Sequence, residues 1–291
     1  MADSHPPTVL VTGATGGIGF HIAAGLAALG HTVVISGRDV ERGQRAAADI
    51  SRSAGGGQLS FLAADHSTVG GNADFARTFT SQIGRLDLLI NNVGGIFSRR
   101  WETADGYEGT LALNFVGPSA LTTHLMPLLR ASRAGRCVNI VSSAFQMVKG
   151  DAFADLQSEQ RYTGISAYAR AKFLNLAWSL ALAGREPELS VYAVNPGMAW
   201  TPSTQRLTPE AVPAWRPVWP VVRWFQRRAS AEKAATQPIR VASTPDLGPV
   251  SGSYLDEHGK VRAVPRLAHD PALVQRAWAT AQELASGAVT G

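Results

Sequence analysis

Thr8-Val9-Leu10-Val11-Thr12-Gly13-Ala14-Thr15-Gly16-Gly17-Ile18-Gly19 decides the fold of this 291-residue chain. A short apolar, β-branched run, Thr8 to Thr12, leads into a glycine-rich turn, and a helical pattern from about Ile18 to Leu29 follows. Strand, glycine turn and helix, in that order, form the context in which a dinucleotide is held. The glycines permit a tight turn and let backbone N–H groups approach a pyrophosphate at the helix N-terminus, where the dipole favours an anion. Gly13, Gly17 and Gly19 match TGxxxGxG, while Gly13, Gly16 and Gly19 match TGxxGxxG. The glycines alone do not separate the two patterns.

Beyond this stretch the same alternation continues. His31 to Ser36 predicts a second strand, and Val40 to Ser53 an amphipathic helix. Leu59 to Ala63 predicts a third strand, and Phe75, Phe79 and Ile83, spaced by four, mark the next helix. Leu86 to Ile90, Cys137 to Val141 and Ser190 to Val194 read as further strands, with Gly252 to Leu255 as a seventh. Ser166 to Ala183 is helical. Short, nearly all-apolar strands separated by helices are what buried parallel strands with crossover connections look like. The expected fold is α/β, a doubly wound parallel sheet of about seven strands with helices on both faces. A single domain is expected over 1–291, with residues 1–7 as a flexible tail. The Trp- and Pro-rich stretch 198–228 is expected to form a substrate lid, as long connections in compact α/β domains often do.

Composition narrows the function. With 45% hydrophobic and 17% charged residues, a large core can be buried and global disorder is excluded. The net charge is +5, but the basic residues are scattered, so no nucleic-acid partner is expected. One cysteine, Cys137, rules out a disulfide scaffold or Cys-based metal cluster, and no metal site is expected. Between Glu108 and Arg130 there is no charged side chain. Asn114, Pro118, His124 and Pro127 in that run favour a helix buried in a soluble protein over a membrane span. No secretory signal opens the sequence, and a cytoplasmic location is expected.

The second strand ends in Ser36-Gly37-Arg38-Asp39. An arginine here suits the 2′-phosphate of NADP(H), its fork matching phosphate geometry, and Asp39 is placed to cap the following helix. The alternative is a solvated Arg38 with Asp39 on the ribose of NAD(H). Further along, Tyr168-Ala169-Arg170-Ala171-Lys172 puts a phenol and an ammonium one turn apart on a helix face. A nearby cation lowers a phenol's pKa, making tyrosine usable as an acid or base.

With these residues in order, the chain resembles the short-chain dehydrogenase/reductase superfamily from about Thr8 to Leu255. The resemblance rests on Thr12 to Gly19, Asp65, Asn91-Asn92-Val93-Gly94, Asn114, Ser142-Ser143, Tyr168 with Lys172, and Pro196-Gly197 with Thr201. It implies a Rossmann-type fold and an oxidoreductase in which Tyr168 gives or takes a proton. It further implies that Lys172 binds the nicotinamide ribose and depresses the Tyr168 pKa. Ser143, rather than Ser142, would hydrogen-bond the substrate oxygen, and Asn114 would hold a water relaying protons to Lys172. Asp65 would contact adenine, Asn92 would sit by the riboses, and Thr201 would contact the carboxamide or pyrophosphate. Gly13, Thr15, Gly16, Gly17, Ile18, Gly19, Arg38, His66, Gly94, Pro196 and Gly197 complete the expected cofactor set.

Lys172 leaves too little chain for the larger C-terminal domain of the TGxxGxxG relatives, so the compact branch is the better match. The insertion between Ser143 and Tyr168, the Gly37-Arg38-Asp39 turn and the tail Val250-Ser251-Gly252-Ser253-Tyr254 resemble the retinol-dehydrogenase-like group. That implies NADP(H), with NAD(H) as the alternative, and a hydrophobic ketone, aldehyde or alcohol as substrate. Phe145, Met147, Met198 and Trp200 are expected to line its pocket; Trp215, Trp219 and Trp224 either join them or pack the lid onto the body or a second subunit. The branch often forms homodimers or homotetramers. Two other functions share these features: an NADP(H)-binding redox sensor or scaffold without turnover, and a biosynthetic isomerase or synthase using the same tyrosine.

Overall fold

The computed structural model describes residues 5–55, 58–245, 247, 251–264 and 270–287. Residues 1–4 of the expected tail and Val250 of the C-terminal motif lie outside them. Eight strands form one sheet: β1 (Thr8–Val11), β2 (Thr32–Gly37), β3 (Leu59–Ala63), β4 (Leu88–Asn91), β5 (Arg136–Ile140), β6 (Ser190–Val194), β7 (Ser253–Leu255) and β8 (Val261–Arg262). Their order is β3-β2-β1-β4-β5-β6-β7-β8. The first seven run parallel, while β8 pairs antiparallel with β7. The eighth strand is two exposed residues at the sheet edge, too short and too polar to carry an apolar signature.

Both faces of the sheet are covered, which is why its strands read as continuous apolar runs. Successive side chains of β1 point to opposite faces. Val9 and Val11 join Ile22 and Leu26 of α1 (Gly17–Ala28), Ile50 of α2 (Val40–Ser53) and Ala235 and Val241 of α9 (Ala231–Ser243). Leu10 joins Phe75 and Phe79 of α3 (Val69–Gln82), Leu121 and Leu125 of α5 (Gly117–Ala131), and Leu174 and Trp178 of α6 (Gly164–Arg185). Ala281 of α10 (Pro271–Ala285) belongs to the same layer. The uncharged run before Arg130 is therefore core, and among the described residues no helix is long and apolar enough to cross a membrane.

A short helix, α4 (Gly109–Leu111), runs into α5 through a π turn, Ala112–Val116. Such turns free a backbone carbonyl, and they recur at functional sites. Here the carbonyl of Asn114 receives a hydrogen bond from Asn175 Nδ2 at 2.7 Å. The switch point of the sheet lies between β1 and β4, so the ligand crevice is expected beyond their carboxyl ends.

Candidate active site

The glycine turn leaves the first turn of α1 with free donors. Gly16 is its N-cap, no side chain caps it, and its first turn holds no acid. By contrast α2, α3, α6, α9 and α10 are capped by Asp39, Thr68, Thr163, Ser230 and Asp270. Gly17 has φ +60°, a conformation that a side chain would strain. The turn is braced from both sides: Ala14 N donates to Ser36 O at 3.2 Å, and Asn92 Nδ2 donates to Thr12 O at 2.8 Å.

Two guanidinium groups flank this turn. Arg38 is exposed at the end of β2 and has no ion-pair partner among the described residues. Arg42, which sequence reasoning missed, is held by its own helix start, its backbone N–H donating to the Asp39 cap at 2.9 Å. Its Nε donates to Thr15 O at 3.0 Å, and a methyl placed on Gly16 would lie 2.5 Å from its Nη2. The signal for Arg42 was available: it stands three residues after an N-capping aspartate, on the turn that faces the glycine loop. Uncapped N–H groups, glycine where a side chain would block approach, and two arginines fit an anionic dinucleotide. Across the mouth, Thr201 caps the short helix α7 (Pro202–Gln205), its Cβ 3.1 Å from where a Gly17 Cβ would stand. Gly197 (φ +79°) lets the chain turn away after the buried Pro196, with its N–H donating to Asn195 Oδ1 at 3.1 Å.

The residues expected at adenine separate into two kinds. Asp65 is exposed beyond β3, where its Oδ1 accepts from Ser67 N and Ser67 Oγ. His66 is different, being 4% exposed with both ring nitrogens engaged. Asn72 Nδ2 donates to His66 O and Thr68 O, so Asn72 Oδ1 accepts from His66 Nδ1 at 2.7 Å. That leaves His66 Nε2 to accept from Ser36 Oγ at 2.7 Å. Burial lowers the His66 pKa and keeps this neutral tautomer. The His66 imidazole is thus spent on tying β2 to α3, which leaves only its backbone for the expected cofactor contact. Asn92 likewise spends its amide on the glycine turn.

At the ends of β4 and β5 four side chains converge. Lys172, 3% exposed, donates from Nζ to Ile140 O at 2.6 Å and lies 5.7 Å from the centre of the Tyr168 ring. Asn114 Nδ2 donates to Gly95 O and Thr110 O, while its Oδ1 accepts from Gly95 N. A methyl on Gly94 would lie 2.5 Å from Asn114 Oδ1 and 3.2 Å from Lys172 Nζ, so the backbone here passes through the cluster.

Of the two serines, it is Ser142 whose hydroxyl hydrogen-bonds toward the Tyr168 phenol. Ser143 is exposed and begins a 3₁₀ turn, Ser143–Met147, that Ser142 caps. Ser142, rather than the expected Ser143, is thus the hydroxyl that acts on the Tyr168 phenol. Burial raises the Tyr168 pKa, with the Ser142 hydrogen bond acting in the lowering direction. Burial also pulls the Lys172 ammonium down to about 7. Desolvation thus dominates at Tyr168, whose pKa is raised rather than depressed as expected.

Of the residues expected to line the substrate pocket, one lies in the core and three are at least partly accessible. Phe145 is 1% exposed and packs edge-on against Tyr254 of β7, because the 3₁₀ turn points it into the core. Met147 and Met198 are exposed, and Trp200 is half-buried beneath the Arg223 guanidinium, 4.5 Å from its ring centre. Residues 198–228 form α7, 3₁₀ turns Pro209–Ala211 and Pro213–Val218, and α8 (Trp219–Gln226). Leu207, Ala211 and Val212 form a small cluster there, packed with Ile96, Ile165 and Trp219.

The fold and these residues agree with comparison to known proteins. The model of the family described as short chain dehydrogenase matches residues 7–211. Mouse polyprenol dehydrogenase is 35% identical over 93% of this chain and 81% of its own length. Human retinol dehydrogenase 12 is 33% identical over 95% and 85%. Among solved structures, Pseudomonas aeruginosa RhlG in a complex with NADP superposes with a TM-score of 0.65, at 27% identity over 87% of this chain and 95% of that one. The chain belongs to the short-chain dehydrogenase/reductase superfamily, in its retinol-dehydrogenase-like group. It is accordingly an oxidoreductase of a family that uses nicotinamide cofactors on small-molecule substrates.

Proposed function

We propose that this protein is an NADP(H)-dependent oxidoreductase that interconverts a hydrophobic aldehyde or ketone and its alcohol, with a cytoplasmic location. The observation that carries the reading is that Asn114 and Lys172 meet at the Gly94 backbone, with the Tyr168 ring centre 5.7 Å from Lys172 Nζ and Ser142 beside the phenol. When bound, the nicotinamide supplies or accepts the hydride. The chain's own residues do the rest. Ser142 and Tyr168 hold the substrate oxygen, and the Tyr168 hydroxyl gives that oxygen its proton in reduction or removes it in oxidation. Lys172, fixed by Ile140 O, supplies positive charge beside the phenol, and its pKa of about 7 makes that charge sensitive near neutral pH. Asn114, locked through its amide to Gly95 and Thr110, keeps the π turn in place.

Arg38 and Arg42 support NADP(H) over NAD(H), because a 2′-phosphate beside the glycine turn would meet two guanidiniums, while the intervening Asp39 carboxylate is engaged by the Arg42 N–H. The NADP complex of RhlG supports the same choice. A hydrophobic substrate is supported by relatives named for polyprenol and retinol, both isoprenoid alcohols. The test is NADPH consumption with retinal, a long aliphatic aldehyde and a polar keto sugar. We expect kcat/KM for the apolar carbonyls to be higher by at least about tenfold, as burial of two extra methylenes at about 0.8 kcal/mol each would give. Preference for the sugar, or no turnover of any carbonyl or alcohol with either cofactor, would contradict the proposal.

A further inference from the structure

Tyr168, Lys172, Asn175 and Ser179 recur at intervals of four, three and four residues, which sets them in one line along α6. The last three are each at most 3% exposed. A buried polar side chain costs free energy unless it is partnered, so each needs a bond. Lys172 has Ile140 O. Asn175 and Ser179, one and two turns further along, are bonded to other parts of the site.

Asn175 Nδ2 reaches across to the π turn and donates to Asn114 O at 2.7 Å. A regular α-helix would give that carbonyl the N–H of residue 118, but residue 118 is proline and has none. Asn175 thus takes the place of a backbone donor. From the other side, Asn139 Nδ2 donates to Ser179 Oγ at 2.9 Å, and Ser179 Oγ donates to Asn175 O at 2.7 Å. Asn139 precedes Ile140 in β5, and its Oδ1 accepts from Asn91 Nδ2 of β4 at 2.8 Å. The three asparagines and the serine are all buried. Together they tie β4, β5, α6 and the π turn, the segments on which the site is built. Well-packed apolar side chains could hold these segments together at similar stability. Directional bonds add one fixed register.

We propose that Asn175 is a positioning residue. By holding the Asn114 carbonyl where Pro118 leaves it without a helical donor, it fixes the Asn114 side chain against Gly95 and Thr110, and so sets the Gly94-Gly95 backbone beside Lys172. The catalytic consequence rests on the oxidoreductase reading above, whereas the anchoring of Asn114 is measured without turnover.

The test compares the full wild-type chain with Asn175→Leu, and with the smaller Asn175→Ser in case leucine is not accommodated, both checked by circular dichroism. Hydrogen exchange is followed in peptides covering Gly95, whose N–H donates to Asn114 Oδ1, with β1 peptides as the internal reference. Exchange at Gly95 is expected to be at least about tenfold faster in the variants. With retinal and NADPH, kcat is expected to fall by about tenfold or more while KM and the NADPH Kd stay within about twofold, as misplacement of a positioned group predicts. Phe79→Leu, a change in the buried core of α3, is the stability control. At a comparable loss of melting temperature it is expected to keep kcat and Gly95 exchange within about twofold of wild type. Gly95 exchange or kcat unchanged in a folded Asn175 variant would overturn the proposal, and so would an equal loss of kcat in Phe79→Leu. A wild-type chain that turns over no carbonyl or alcohol would contradict the proposed activity instead, and the exchange arm would still decide whether Asn175 holds Asn114.

Discussion

At Tyr168 two effects pull in opposite directions. Burial disfavours the phenolate, whereas the Ser142 hydroxyl, donating to it, favours that form. Lys172 one turn on is itself desolvated, its amine held by a backbone carbonyl rather than by the phenol. The proposed active hydroxyl pair is therefore Ser142 with Tyr168. Ser142→Ala is expected to lower kcat by about a hundredfold, in the range for loss of one group that binds a reacting oxygen. Ser143→Ala is expected to stay within about twofold of wild type, because that side chain is exposed and outside the cluster. Steady-state kinetics of the two variants checks this, and the reverse ranking would restore Ser143.

The start of α2 does two jobs as an element. Asp39 caps it and, through the Arg42 N–H, fixes the turn that carries Arg42 over the glycine loop. Arg38 precedes the cap at the end of β2. Charge-assisted hydrogen bonds contribute about 1.5–3 kcal/mol each. Arg38→Ala and Arg42→Ala should thus each raise KM for NADPH by about tenfold or more while changing KM for NADH less than about twofold. Equal losses with both cofactors would remove the argument for the 2′-phosphate.

Across the whole molecule, the sheet was legible because burial on both faces writes strands such as Thr8–Val11 and Ser190–Val194 as apolar runs, and the glycine turn marked where the first helix begins. Tyr168 and Lys172 could be paired from helical spacing alone. The serine pair could not be phased, since which hydroxyl faces the phenol depends on where β5 ends, and that is set by its pairing with β6. His66 looked available because its buried partners, Ser36 and Asn72, lie thirty and six positions away and only the fold brings them together. The tryptophans of 198–228 could be placed only by the fold: Trp200 and Trp219 are half-buried, Trp219 against Leu207, Ala211 and Val212, while Trp215 and Trp224 are exposed.

The central claim is that the Tyr168 hydroxyl moves the proton. The most direct measurement is turnover of Tyr168→Phe with an apolar aldehyde, alongside NADPH affinity from the cofactor's fluorescence. We expect kcat to fall by about a thousandfold or more, as loss of a positioned acid does, with the NADPH Kd changed less than about twofold. Turnover within about tenfold of wild type would contradict the account.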